Sequence, residues 1–229
     1  MKHARYTERG PIPQYLIAAV EFEAPVLTSG QVLIKVLASP INPSDVLTLT
    51  GQYGMLPPLP AIGGNEGVGD IEALGPDVNG VAVGQRVLLP VGSGTWSTHL
   101  VADAKKLMPL PNAVDPIQMS MLTVNPPTAA LMLSEFVDLQ PGDWVIQNAA
   151  NSGVGGYLIQ IARSRGLKTV NVVRRESAIA ALADSGGDVV LVDGPELHKR
   201  VAEATGKARI RLGIDAVGGN ATENIARSL

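Results

Sequence analysis

Apolar and polar positions fall into two textures along the 229-residue chain. Over residues 1–112, short apolar runs of β character are separated by turn residues. The runs are "YLIAAVEF", "QVLIKVLAS", "EGVGDIEAL", "GQRVLLPV" and "STHLVAD", with "TSG", "GPD" and "VNG" among the breaks. Such spacing predicts a compact, barrel-like β domain. Leu16–Val20 also fits a helical fragment by periodicity alone. The flanking proline and the acidic alternation that follows favour a strand.

Residues 113–229 read differently. Asp115 followed by Pro116 is a helix start, an N-cap with proline at the first position. "NPPTAALMLSEFVDL" predicts a helix with one apolar face, ending near "QPGD". Strand-like "DWVIQN", "KTVNVV", "DVVLVD" and "RIRLGIDAV" then alternate with helix-like "SGVGGYLIQIARSRG", "ESAIAALADSGG", "PELHKRVAEATG" and "NATENIARSL". Four such alternations predict right-handed βαβ units on a parallel sheet, hence an α/β domain of the doubly wound Rossmann type. A complete sheet of that type has six strands. This one stops after its fourth strand and helix, at Leu229, which leaves a strand edge unpaired and suggests a piece of a longer polypeptide.

The first strand-to-helix turn, "QNAANSGVGGYLIQIARSRG", carries candidate chemistry. A helix start offers free amides and partial positive charge, which suit a pyrophosphate. In G-x-G-x-x-G the glycines serve a tight turn, close ligand approach and close helix–strand packing. Here those positions read Ala150, Ser152 and Gly155, with Gly153 and Gly156 adding slack. A purely structural turn looks similar, and the four βα alternations favour dinucleotide binding. After the second strand, NAD sites place Asp or Glu against the ribose hydroxyls. This chain places Arg174 and Arg175 there. Guanidinium pairs with a 2′-phosphate, so NADPH is the expected coenzyme. The alternative is two solvated arginines at a strand end.

Composition narrows the classes. Apolar residues make up 45% and charged residues 17% of the chain, enough for a packed core. Lys plus Arg (18) against Asp plus Glu (21) gives a net charge of −3 with no basic run, which disfavours nucleic acid as partner. No apolar stretch is long enough to span a bilayer and no leader peptide is legible, so a soluble, cytoplasmic protein is expected. With no cysteine, disulfides and thiolate zinc sites are excluded.

"INPSDVLTLTGQYG", "PAIGGNEGVG", "GTWSTHLV", "VNPPTAALML" and "VIQNAANSGVGGYLIQIA" together resemble the zinc-free branch of the medium-chain dehydrogenase/reductases. Within that quinone-oxidoreductase-like branch, the chain is most similar to trans-2-enoyl-CoA reductases of the mitochondrial type. The resemblance implies a GroES-like catalytic domain followed by a Rossmann domain, NADPH as hydride donor, a small-molecule substrate and a homodimer for the full-length protein. It puts the catalytic tyrosine on Tyr53. It puts coenzyme contacts on Asn125, Asn151, Ser152, Gly153, Val154, Arg174 and Arg175. One departure is Glu176, which stands where relatives commonly carry the second arginine and would weaken NADPH preference if it faced the 2′-phosphate.

The implied reaction delivers hydride to the β-carbon of a 2-enoyl thioester and a proton from Tyr53 to the α-carbon. A phenol, which titrates near 10 in water, gives its proton readily to so basic a carbon. Quinones or other activated alkenes are the alternative substrates, and a non-catalytic nucleotide-binding module is the alternative class. No metal is expected, since Asn65 stands where zinc relatives place a ligand His. His3, His99 and His198 are scattered. Trp96 is expected to pack, and Glu66 to support a turn or the residues around the site.

Overall fold

The computed structural model describes residues 1–229, whose contacts divide into two compact units, Met1–Val124 and Asn125–Leu229. No helix is long and apolar enough to cross a membrane.

The first unit opens with strands β1 (Lys2–Tyr6) and β2 (Ile17–Glu21), then β3 (Gln31–Ala38) and helix α1 (Pro43–Thr50). There follow β4 (Ala61–Ile62), β5 (Val68–Leu74), β6 (Arg86–Leu88), β7 (His99–Asp103), β8 (Met108–Pro109) and a single helical turn, α2 (Pro116–Met119). Strands β2-β1-β4 form a small sheet, and β7-β3-β5-β6-β8 a larger one, with every pairing antiparallel. Alternation puts Val32 and Ile34 of β3 on one face, where they pack with Ile71, Val87, Leu89 and Leu100 as the core. Ile17–Glu21 is a strand, as its flanks predict.

Helix α1 was not predicted, although its signals are local. Asn42 precedes it, Pro43 opens it, and the Asp45 carboxylate accepts the Asn42 amide at 2.7 Å. Gly51 closes it in the left-handed region at φ 78°.

The compact unit extends to Val124, beyond the change of sequence texture at residue 112. A strand residue, Arg86, and a loop residue, Glu66, hold the extra segment. Arg86 donates to the carbonyls of Asn112 and Val114, both at 2.9 Å, and Glu66 accepts the amides of Thr123 (3.1 Å) and Val124 (3.0 Å).

The second unit runs α3 (Asn125–Met132), β9 (Trp144–Gln147), α4 (Gly153–Ser164), β10 (Lys168–Val173), α5 (Ile179–Asp184), β11 (Val189–Val192), α6 (Leu197–Ala204), β12 (Ile210–Ile214) and α7 (Asn220–Ala226). Its strands lie in the order β11-β10-β9-β12, all parallel, the 3-2-1-4 part of a doubly wound sheet. Ile146, Val170 and Val172 point to one face, against Leu197 and Val201 of α6 and Ile225 of α7. Val145 and Val173 point to the other, against α3, α4 and α5. Helix α3 ends at Met132, short of the predicted end near "QPGD". Leu133 is the last buried residue of its apolar face and Phe136 is 75% exposed, so packing gives no reason to continue the helix.

Candidate functional site

The turn between β9 and α4 is built by backbone bonds and one cap. The Ala150 amide reaches the Val172 carbonyl (3.3 Å), and the Ser152 amide reaches the Ala149 carbonyl (2.8 Å). Ser152 caps α4, its Oγ accepting the Gly155 amide at 3.1 Å. The left-handed residue is Ala149 (φ 47°), one place before the predicted tight-turn position Ala150. A Cβ on Gly155 would stand 2.4 Å from the Ala150 carbonyl oxygen, so Gly155 performs the close-packing duty that the spacing assigns it. Beneath the turn, buried Gln147 donates to Asn171 Oδ1 (2.8 Å) and to the Gly155 carbonyl (3.1 Å). This ties the turn to β10.

Three other predicted residues gather at the start of α4. A Cβ on Gly153 would lie 3.0 Å from the Asn125 side-chain nitrogen, so Asn125 abuts the first residue of the helix. The amides of Gly153 and Val154 have no backbone partner. Val154 turns its side chain into the apolar cluster with Ala129 and Leu158, leaving only its backbone for a ligand.

Asn151, Arg174 and Arg175 line one recess of about 160 Å³, joined by Ser177 and Ala178. Ser177 was missed. It enters through the 3-10 turn Glu176–Ala178, where the sequence predicts the first turn of a helix that instead begins at Ile179. Both arginines are exposed, and neither forms an ion pair. Glu176 does not line the recess. Two guanidinium groups, an amide and a hydroxyl with no carboxylate among them suit a phosphate monoester in charge and in donor count.

Tyr53 belongs to a separate recess of the first unit, about 380 Å³, with Tyr6, Asp45, Leu49, Met55 and Asn65 among its walls. Burial pushes the Asp45 carboxyl upward, opposed by hydrogen bonds from the Asn42 amide and the Asn65 side chain. Asn65 gives its side-chain amide to Asp45 at 2.7 Å. Glu66 is fully buried with both oxygens engaged: one accepts from Asn42 (2.8 Å), the other from the amides of Thr123 and Val124 and the Thr123 hydroxyl (2.8 Å). It is a structural staple. Trp96 packs on the Gly63–Gly64 backbone, where a Cβ would meet its ring at 2.2 and 2.5 Å, and its Nε1 donates to the Pro40 carbonyl at 3.0 Å. His3 stacks on Phe22 at 4.9 Å, and His99 faces Glu72 at 3.2 Å. No three His, Cys, Asp or Glu side chains converge as metal ligands.

Residues 28–112 match the alcohol dehydrogenase GroES-like domain. The mitochondrial enoyl-[acyl-carrier-protein] reductase of Rattus norvegicus is 42% identical over 226 residues, covering 95% of this chain and 60% of that protein. The chain thus spans well under two thirds of that relative. The mitochondrial 2-enoyl thioester reductase heterodimer of Candida tropicalis superposes with a TM-score of 0.90 at 29% identity, over 100% of this chain and 72% of that one. A complex of Etr1p with NADP and crotonyl-CoA gives 0.89 at 28%, with the same coverage. The expectation of a cytoplasmic protein is corrected by these names, because the matched enoyl reductases are mitochondrial. Neither composition nor the first residues of the given sequence report a compartment. Motifs, domain match and fold agree in likening this chain to the zinc-free medium-chain dehydrogenase/reductases.

Proposed function

We propose that the intact protein reduces the C=C bond of a 2-enoyl thioester with NADPH. The observation that carries the reading is the acid-free recess in which unpaired Arg174 and Arg175 meet Asn151 and Ser177, at the foot of a capped helix. The thioester is supported by the relatives, which are named as enoyl reductases, one of them in complex with NADP and crotonyl-CoA.

Bound there, NADPH supplies a hydride for the β-carbon of the thioester. Arg174 and Arg175 grip the 2′-phosphate with charge-assisted hydrogen bonds, each worth about 1.5–3 kcal/mol. Ser177 and Asn151 add neutral donors. The amides of Gly153 and Val154 take the pyrophosphate at the positive end of α4. Tyr53 gives its hydroxyl proton to the α-carbon, completing the saturated thioester. It is 40% exposed, so solvent can return the proton. A positioned acid of this kind contributes about 10²–10⁴-fold.

The test is NADPH consumption by the full-length protein with crotonyl-CoA and with a quinone, each against Tyr53→Phe. Thioester turnover that falls at least 100-fold in the variant is the expected result. Quinone turnover indifferent to the substitution would replace this reading with a quinone reductase, and coenzyme binding without turnover would replace it with a binding module. A homodimer is proposed for the intact protein. The Candida tropicalis relative is a heterodimer, and solution mass by light scattering decides the point.

A further inference from the structure

Tyr53 is carried on a stretch of chain that holds itself poorly. Gly51 ends α1, and the Gln52 amide returns to the Leu47 carbonyl at 2.8 Å. From Tyr53 to Leu59 the chain then makes a single hydrogen bond: Arg9 Nη2 donates to the Pro57 carbonyl. Apolar packing does little to compensate, since Tyr53 is 40%, Leu56 42% and Met55 80% exposed. Yet Tyr53, Met55, Leu56 and Pro57 form one wall of the recess.

Arg9 reaches both ends of this stretch. A Cβ on Gly51 would touch its stem, 3.5 Å from Cδ, while its guanidinium holds Pro57. Its Nε is buried and unpaired, so part of the guanidinium lies inside the protein. The same guanidinium lies beside the hydroxyl of Tyr6, where it opposes the upward push of burial, and buried Tyr6 also lines the recess. The next residue, Gly10, is fixed by its amide to the Leu49 carbonyl at 3.3 Å. Arg9 is therefore pinned to the C-terminal end of α1 and grips the far end of the loop.

We infer that Arg9 is a positioning residue: it anchors the 51–57 loop at both ends and so sets where the Tyr53 hydroxyl stands over the recess. The inference rests on the proposed proton transfer from Tyr53. A guanidinium suits the task because it stays charged and its planar fork keeps a fixed direction. Lys at this position offers the charge without the geometry.

The experiment uses the full-length protein with Arg9→Gln and Arg9→Lys, each also in a Tyr53→Phe background. Chymotrypsin is expected to cut after Tyr53 faster in Arg9→Gln than in the parent, with cleavage elsewhere unchanged. kcat with crotonyl-CoA is expected to fall about 10- to 100-fold while NADPH affinity holds, with partial recovery in Arg9→Lys. In the Tyr53→Phe background the same change should cost little more. Parental cleavage rates in the loop, or an undiminished kcat loss in the Tyr53→Phe background, would overturn the inference. If the parent shows no thioester turnover, the functional reading fails instead and the cleavage rates alone decide whether Arg9 anchors the loop.

Discussion

Asn148 and Asp215, 67 residues apart, clasp each other across two loops. The Asn148 side-chain amide donates to the Asp215 carboxylate, and its Oδ1 accepts the Ala216 amide at 2.8 Å. The Thr222 hydroxyl (2.7 Å) and the amides of Val217 (3.2 Å) and Gly218 (3.1 Å) complete the set of donors around Asp215. These loops follow β9 and β12, the neighbours at which strand order reverses, where open parallel sheets form their ligand crevice.

The hydrogen bond from Asn148, aided by Thr222 and the two amides, lowers the Asp215 carboxyl to about 2. A carboxyl lowered by folding stabilises above its unfolded value of about 3.9, and that stability is lost as pH falls towards the folded value. The urea midpoint should therefore drop more steeply between about pH 4 and pH 2 in the parent than in Asp215→Asn. The difference will be small, because the group is exposed and screened. Equal slopes would mean that the clasp does not couple to folding.

Adjacent glycines in α4 should respond with opposite signs. Ala at position 155 drives a Cβ into the Ala150 carbonyl, a backbone atom that cannot step aside, whereas Ala at 156 points into open space. Gly155→Ala is expected to cost about 1–3 kcal/mol and to weaken coenzyme binding. Gly156→Ala is expected to gain about 0.5–1 kcal/mol. Denaturant midpoints of the two variants measure this.

Local pattern carried most of the fold. "KTVNVV" became β10 with the same limits, because a run buried from Thr169 to Val173 and closed by two arginines leaves little ambiguity. β1 was missed because "KHARY" is mostly polar, and α1 because its caps lay inside a stretch read as a family motif. Of the recess proposed for the coenzyme, Asn151, Arg174 and Arg175 were named from the sequence, whereas Ser177 is brought round by a 3-10 turn where a helix was expected. Arg9 and Asp215 act through partners 48 and 67 residues distant, and no periodicity reports such contacts.

Glu66 should matter for stability and not for coenzyme affinity. Glu66→Gln turns a side-chain amide towards donors that now meet carboxylate oxygens. At least one of Asn42 Nδ2, the Thr123 amide and the Val124 amide loses its acceptor. A cost of about 1–3 kcal/mol in thermal or urea unfolding is expected, with NADPH affinity unchanged.

Coenzyme choice tests the account most directly. NADPH and NADH are titrated into the full-length protein, the parent beside an Arg174→Ala, Arg175→Ala double variant and Glu176→Gln. The account predicts that the parent prefers NADPH by about tenfold or more, that the double variant loses the preference by weakening NADPH alone, and that Glu176→Gln keeps it. A parent that binds both coenzymes equally, or a double variant that keeps its preference, would contradict it.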